Sequence, residues 1–149
     1  MFCLFKKSPK RYKPLSDYPE RWSLLQEDAR GLVLRVNLGY ADSIGHPDYP
    51  IKMGIAIPIR TEHDEYVSEL KESVEVVLDE ILSNGEKGAF VAVITGLHAP
   101  KFVEFLAYAK KDLDFAAIHQ TLKVKFPDFE VQMYANADPG WNTYRSFLR

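Results

Sequence analysis

The sequence is poor in residues that form covalent cross-links and in long apolar segments. It contains one cysteine, Cys3, among 149 residues. No intrachain disulfide can form, and a reducing, cytoplasmic location is predicted. No apolar run approaches the roughly 20 residues that a membrane-spanning helix needs. The N-terminal sequence MFCLFKKSPKRYKP places a few apolar residues before its charges, so a secretory signal is not expected.

Motifs for the common catalytic chemistries are also missing. The sequence has no G-x-S-x-G nucleophile elbow, no P-loop and no glycine-rich dinucleotide fingerprint. Its four histidines, His46, His63, His98 and His119, do not show metal-ligand spacing. We therefore expect no cofactor, no metal and no catalysis. The alternative is an enzyme or small-molecule-binding protein whose site is built from loops, with His46, Asp48 and His98 as acid/base or metal candidates.

Charge is distributed unevenly along the chain. The net charge is −2, but the first thirteen residues hold no acidic residue and five basic ones, Lys6, Lys7, Lys10, Arg11 and Lys13. The remainder is correspondingly acidic, and an acidic body is a poor platform for nucleic acid. We predict a flexible basic tail over residues 1–15 and a single α+β domain over 16–149. Contact of the tail with RNA, an anionic membrane or an acidic partner is the alternative.

The first predicted element is a short helix near the sequence SDYPERWSLL. Asp17 and Glu20 have the spacing of a capping box, and Trp22 would lie on the inner face with Leu25 and Ala29. The later elements follow hydrophobic periodicity. They are strand, strand, helix, strand, strand, helix, strand and helix over residues 32–38, 51–59, 64–82, 88–96, 101–110, 112–126, 129–135 and 138–148.

This order predicts the fold class. Residues 51–135 have the order βαββαβ, which is typical of a ferredoxin-like core: an antiparallel sheet with two helices on one face. The strand over 32–38 would extend the sheet as a hairpin partner. The early helix and the C-terminal helix would be additions to that core.

The C-terminal sequence NADPGWNTYRSFLR is unusually aromatic. The Asp-Pro pair at 138–139 is typical of a helix start. Trp141, Tyr144 and Leu148 recur at helical spacing, so they share one face. We predict that they pack into the core, on the sheet or beside Trp22. An exposed aromatic hook is the alternative.

This C-terminal pattern carries a family resemblance. D-P-x-W-x-x-Y-x-x-x-L after a strand, with an upstream ITG and YA, resembles the bacterial family catalogued as domain of unknown function 695. The matching residues are Asp138, Pro139, Trp141, Tyr144 and Leu148, with Ile94, Thr95, Gly96, Tyr108 and Ala109. The resemblance covers about residues 18–148. Family members often have an arginine after the TG turn, where the nearest basic residue here is Lys101, a departure that disfavours a shared anion site.

What the resemblance implies about function is limited. The family has no established activity, so no catalytic residue is implied. A more distant similarity to the regulator of ribonuclease E activity, B type, implies a comparable α/β plan. By analogy at the level of the fold, it also implies a role as an RNA-processing regulator.

Several surface features favour binding. Tyr40 and Tyr49 are predicted to be exposed loop aromatics, and small residues on the outer side of strand 51–59 would admit another strand or subunit. An acidic ridge is predicted along the long helix, from Glu65, Glu69, Glu72, Asp79 and Glu80. The candidate binding surface comprises Tyr40, His46, Asp48, Tyr49, His98 and Lys101. We predict a cytoplasmic protein-binding or regulatory module that has a protein partner, with homodimerisation left open.

Overall fold

The computed structural model describes residues 11–27 and 29–148. Within them the chain forms six strands: β1 (Trp22–Glu27), β2 (Leu32–Asn37), β3 (Ile51–Pro58), β4 (Gly88–Gly96), β5 (Phe102–Ala109) and β6 (Gln132–Ala137). The α-helices of this part are α1 (Val67–Ile81), α2 (Phe115–Lys125) and α3 (Asn142–Phe147). Short 3-10 helices cover Leu15–Asp17, Leu38–Ser43, Thr61–Tyr66 and Ser83–Gly85.

The strands form one sheet in the order β1-β2-β4-β5-β3-β6, and every neighbouring pair is antiparallel. The predicted α+β class is confirmed. Among the described residues, no helix is long and apolar enough to cross a membrane.

The sheet separates two hydrophobic clusters, because successive side chains of a strand point to opposite faces. On β5, Val103 and Phe105 enter the cluster beneath α1 and α2, whereas Leu106 and Tyr108 enter the opposite cluster. The latter is closed by residues of the 3-10 helices Leu15–Asp17 and Leu38–Ser43 and by α3. Both faces of β5 therefore lie in a core. Strand β4 is also buried on both faces, since eight of its nine residues are buried.

The predicted N-terminal helix is wrong. Trp22 begins β1, which pairs with β2 from Trp22↔Asn37 to Glu27↔Val33. Asp17 ends a one-turn 3-10 helix and makes no helix cap. Strand β2 follows residues 22–27 closely in the chain, and its outer backbone N–H and C=O groups would be unpaired without them. Pairing with this edge satisfies the backbone hydrogen-bonding groups of residues 22–27, and it packs Trp22 against the core of the sheet.

Three helix boundaries also differ from the prediction. The C-terminal helix α3 begins at Asn142, four residues after the predicted start, because a hydrogen-bonded turn precedes it. The long helix begins at Val67, not at Asp64, because a 3-10 helix precedes it. The N-cap of α2 is Asp114, whose side chain accepts a hydrogen bond from the Ala117 backbone N–H at 3.0 Å. The prediction began this helix at residue 112. The apolar residues of α1 and α2 recur at helical spacing and pack on the same face of the sheet.

The C-terminal aromatics belong to the core, as predicted. Trp141 and Tyr144 are 0% exposed. The indole of Trp141 stacks on Tyr108 with 4.4 Å between ring centroids, and its Nε1 donates to the Tyr49 carbonyl at 2.9 Å. The alternative position beside Trp22 is wrong, because Trp22 packs on the opposite face of the sheet.

A small residue on the outer side of β3 makes room for a side chain of the neighbouring strand β6. Gly54 lies opposite Tyr134 of β6, and a Cβ atom at Gly54 would overlap the Tyr134 ring. At this position the space predicted for another strand or subunit is filled by an aromatic ring from the same chain.

Gly54→Val is therefore expected to destabilise the protein by about 1–3 kcal/mol, because the added methyl groups displace the Tyr134 ring. Urea denaturation measures this change. Tyr134→Ala removes the obstruction, so the double variant should be less destabilised than the sum of the two single variants. Strict additivity would contradict this explanation, since residues in contact are expected to couple.

Candidate functional site

A cleft opens beside the first half of β4. Strand β2 pairs with β4 only up to Val36↔Ala92, so Gly88–Val91 lack a β2 partner. The cleft has a volume of about 320 Å³. We call it the acidic cleft, and its lining residues are Leu15, Ser16, Tyr18, Glu20, Trp22, Asn37, Tyr40, Asp79, Leu82, Asn84, Gly85, Gly88 and Phe90.

Two carboxylates give the acidic cleft its character. Burial raises the pKa of Asp79, and the negative charge of Glu20 raises it further. Burial, with the charges of Asp79 and Glu20 and the neighbouring Tyr49, raises the pKa of Tyr40 to about 12. These groups therefore share one region of negative potential. Among the described residues, Asp79 has no hydrogen bond or ion pair, and the cleft lining includes no Lys, Arg or His.

Aromatic rings form the walls of the acidic cleft. The ring centroids of Tyr18 and Tyr40 are 6.2 Å apart, and those of Trp22 and Phe90 are 5.0 Å apart. Trp22 Nε1 donates to Glu20 Oε1 at 2.8 Å, which holds this carboxylate at the rim. The cleft thus combines π faces with negative charge.

A nearby cation is already engaged. The Arg35 guanidinium lies 4.5 Å from the Trp22 ring centroid and forms an ion pair with Glu75. It is not among the residues that line the acidic cleft. Its charge interacts with that of Glu20, but the part of the lining that the structure describes holds no positively charged side chain.

The rim of the acidic cleft has a strained backbone. Ser83 and Asn84 both have φ of 52°, and Gly85 has φ of 101°. Left-handed conformations are unfavourable for residues other than glycine. The turn directs the carbonyls of Gly85 and Glu86 toward the Tyr49 hydroxyl, at 3.4 and 3.1 Å. The rim is thereby tied to the loop before β3.

A second, wider cleft of about 680 Å³ adjoins this rim and is lined in part by His46, Asp48 and Tyr49. His46 is 5% exposed. Its Nδ1 accepts from the Asp48 backbone N–H at 3.2 Å, and its Nε2 lies 3.2 Å from the Lys13 carbonyl. The first contact requires an acceptor at Nδ1, so Nε2 carries the proton. Both ring nitrogens are occupied by contacts within the chain.

The structure does not bring together His46, Asp48 and His98, the grouping considered as the alternative. The loop that contains His46 and Asp48 is held near the start of β4 by the hydrogen bond from the Tyr49 hydroxyl to the Gly85 carbonyl. His98, in contrast, follows the end of that strand. Nine residues of strand separate the two ends by about 30 Å. Among the described residues, no group of three His, Cys, Asp or Glu side chains could hold a metal ion.

The other members of the candidate binding surface are also dispersed. Tyr49 is 5% exposed, so its predicted exposure is wrong. Lys101 lies near the end of β4 that His98 follows and forms an exposed ion pair with Asp64 at 3.3 Å. Tyr40 lines the acidic cleft together with Asp79, which the sequence placed only in a helix ridge.

The basic tail was predicted over residues 1–15. Residues 1–10, including Cys3, lie outside the described residues. Of the others, Leu15 is 1% exposed, and the Tyr12 hydroxyl donates to the Ile44 carbonyl at 2.8 Å. This end of the predicted tail therefore packs against the domain.

Sequence reasoning missed Tyr18, Glu20 and Trp22 as site residues. It assigned them to a helix start, where they would not face Tyr40 or Asp79. The available signal was the aromatic and acidic content of YPERW before a segment able to form a strand.

The fold and the cleft define an α+β domain with an acidic, aromatic-walled recess at an open strand edge. The model of a family of unknown function, DUF695, matches residues 22–149, and the chain belongs to this family. No curated protein and no solved structure matches it significantly. The family resemblance seen in the sequence is confirmed.

Proposed function

We propose that this protein is a noncatalytic, cytoplasmic protein-binding module that holds a lysine-like cationic side chain of its partner in the acidic cleft. The observation that carries the proposal is the convergence of Glu20, Asp79 and aromatic rings on a recess whose described lining residues include no basic one. An ammonium group would satisfy both the charge and the π faces.

The expected energetics agree with this ligand class. A cation over an aromatic face is stabilised by about 0.5–2 kcal/mol, depending on its desolvation. The neighbouring carboxylates add a charge-assisted contact. Because burial and the charge of Glu20 raise the pKa of Asp79, a cation that neutralises this repulsion favours the ionised carboxylate. A volume of about 320 Å³ is at the small end of ligand pockets and suits one side chain.

We further infer that the domain contains a ferredoxin-like core. Strands β3 to β6 with α1 and α2 have the order βαββαβ, and in the sheet they lie as β4-β5-β3-β6. This arrangement, with both helices packed on one face, supports a ferredoxin-like core. The β1–β2 hairpin extends that core and supplies Trp22 to the acidic cleft.

The test is a titration of isotope-labelled protein, followed by NMR, with Nα-acetyl-lysine methylamide and its uncharged analogue Nα-acetyl-norleucine methylamide. We expect the lysine compound to shift the Trp22 indole and the Asp79 amide, and the norleucine compound to do so far less. Asp79→Asn should weaken lysine binding about tenfold, which corresponds to about 1.4 kcal/mol.

Glu80→Gln is the matched control. Glu80 is the next residue of α1 and is exposed, but it does not line the acidic cleft. Equal shifts from both compounds, or equal weakening by Asp79→Asn and Glu80→Gln, would exclude a cation-specific cleft.

A further inference from the structure

The residues that the structure describes cover one face of the sheet over only half its length. On the side opposite α1 and α2, the elements that close the core pack near Leu106 and Tyr108. Beyond them the strand register places one row of side chains on the same face of five strands. From β2 to β6 this row is Leu34, Ile94, Glu104, Ala56 and Gln132.

The residues of this uncovered half are mainly apolar and partly exposed. The next row places Phe102 opposite both Gly96 and Pro58, and the Phe102 ring occupies the space that a Cβ atom of Gly96 would need. We call this surface the open sheet patch, formed by Leu34, Ala56, Pro58, Ile94, Phe102 and Glu104. All six are partly exposed.

Glu104 is the charged residue of the patch, and it lies on the central strand of the five. Burial raises its pKa, although a hydrogen bond from Tyr134 and the charge of Lys52 act in the opposite direction. The Tyr134 hydroxyl donates to Glu104 Oε2 at 3.2 Å. The Lys52 ammonium is bonded elsewhere, to Thr143 Oγ1 at 3.1 Å. The carboxylate therefore retains acceptor capacity toward the solvent side of the sheet.

We propose that the open sheet patch docks an amphipathic helix of a partner protein, whose apolar face carries one lysine or arginine that pairs with Glu104. Apolar side chains of such a helix would cover Leu34, Ile94 and Phe102. Crossing five strands spans about 19 Å, which needs a helix of about 13 residues or more.

The central charge selects this occupant over others. In a twofold dimer through this patch, the central residue would lie near its own copy, so two Glu104 carboxylates would repel each other. An anionic membrane surface would be repelled as well. A basic residue within an apolar helix face complements both features of the patch, and such helices commonly bind apolar surfaces through i, i+3, i+4 and i+7 anchors.

The test uses a designed helical peptide of about 17 residues, with leucine at the anchor positions and one lysine at the centre of that face. A second peptide carries glutamate in place of this lysine. Fluorescence anisotropy with the full chain should show at least tenfold tighter binding of the lysine peptide. Glu104→Lys should reverse the preference between the two peptides.

Glu104→Gln provides a milder variant and should reduce binding of the lysine peptide about tenfold, with folding checked by its thermal melt. Glu72→Lys makes the same charge change on α1, which packs on the other face, and should leave the preference unchanged. The proposal is overturned if Glu104→Lys does not change the preference. It is also overturned if sedimentation shows a concentration-dependent dimer that the lysine peptide cannot dissociate.

Discussion

Trp141→Ala is expected to lower the free energy of unfolding by about 3–5 kcal/mol, the range for truncating a fully buried aromatic side chain. Trp141 is 0% exposed, stacks on Tyr108 and meets Tyr144 edge-on at 5.9 Å. Alanine would leave a cavity between α3 and the sheet and remove the hydrogen bond to the Tyr49 carbonyl. A six-residue helix depends on such packing, because it is too short to be stable alone.

Urea denaturation of three variants separates the contributions. Trp141→Phe keeps an aromatic ring but loses the Nε1 donor, so its cost should be smaller, about 1–2 kcal/mol. Leu24→Ala serves as the surface control, because Leu24 is 65% exposed; its effect should stay within about 0.5 kcal/mol. If Trp141→Ala cost no more than Leu24→Ala, the core role of the C-terminal segment would be refuted.

Asp138→Asn is expected to lower the free energy of unfolding by about 2–4 kcal/mol at neutral pH, the second large effect. The Asp138 carboxylate accepts from the Tyr108 hydroxyl at 2.7 Å, from the Asn142 N–H at 3.1 Å and from the Thr143 N–H at 3.3 Å. Asparagine supplies one acceptor oxygen and turns an NH₂ group toward these donors. At least one buried donor is then left unsatisfied.

The pH dependence of this effect follows from the pKa of Asp138. Burial would raise it, but the hydrogen bonds from Tyr108, Asn142 and Thr143, together with the charge of Lys52, outweigh burial and leave it below the ordinary value. A lowered folded-state pKa contributes stability above the unfolded pKa of about 3.9, and this stability is lost as pH falls through the folded value.

The advantage of the natural protein over Asp138→Asn should therefore shrink as the pH falls below about 4. Denaturation of both proteins at several pH values measures it. Asp112→Asn removes an exposed carboxylate and should show no comparable pH-dependent difference. A gap between the natural protein and Asp138→Asn that stayed constant down to pH 2 would mean that the carboxylate charge is not its source.

The residues that carry the family resemblance now have a physical role. The Asp138 carboxylate accepts hydrogen bonds from the Tyr108 hydroxyl and from the first turn of α3. Trp141 stacks on Tyr108. The Tyr144 hydroxyl donates to the Asn37 carbonyl at 2.6 Å. These contacts join α3 to β5 and to the end of β2. The C-terminal motif is thus a packing motif, and none of its residues lines the acidic cleft.

The sequence alone determined the elements whose signal repeats along the chain. The alternation of Ile51, Met53, Ile55 and Ile57 is sufficient to predict β3, and the apolar stripe of α1 predicts its buried face. Periodicity identifies such elements because the residues that face the core recur at the spacing of the helix or strand, and most of them are apolar. The C-terminal aromatics were placed in the core for the same reason.

The strand conformation of β1 and the composition of the candidate site became evident only from the tertiary structure. Residues 22–27 form a strand because the edge of β2 is available, which no local pattern reveals. Tyr40 and Asp79 are 39 residues apart and meet Glu20 only because α1 ends beside the open start of β4. His46 and Asp48 lie near the start of β4, whereas His98 follows its end, so the sequence could not show that they are far apart. A binding site depends on the distances between side chains. The sequence pattern fixes these distances only for residues of the same helix or strand, and not between elements.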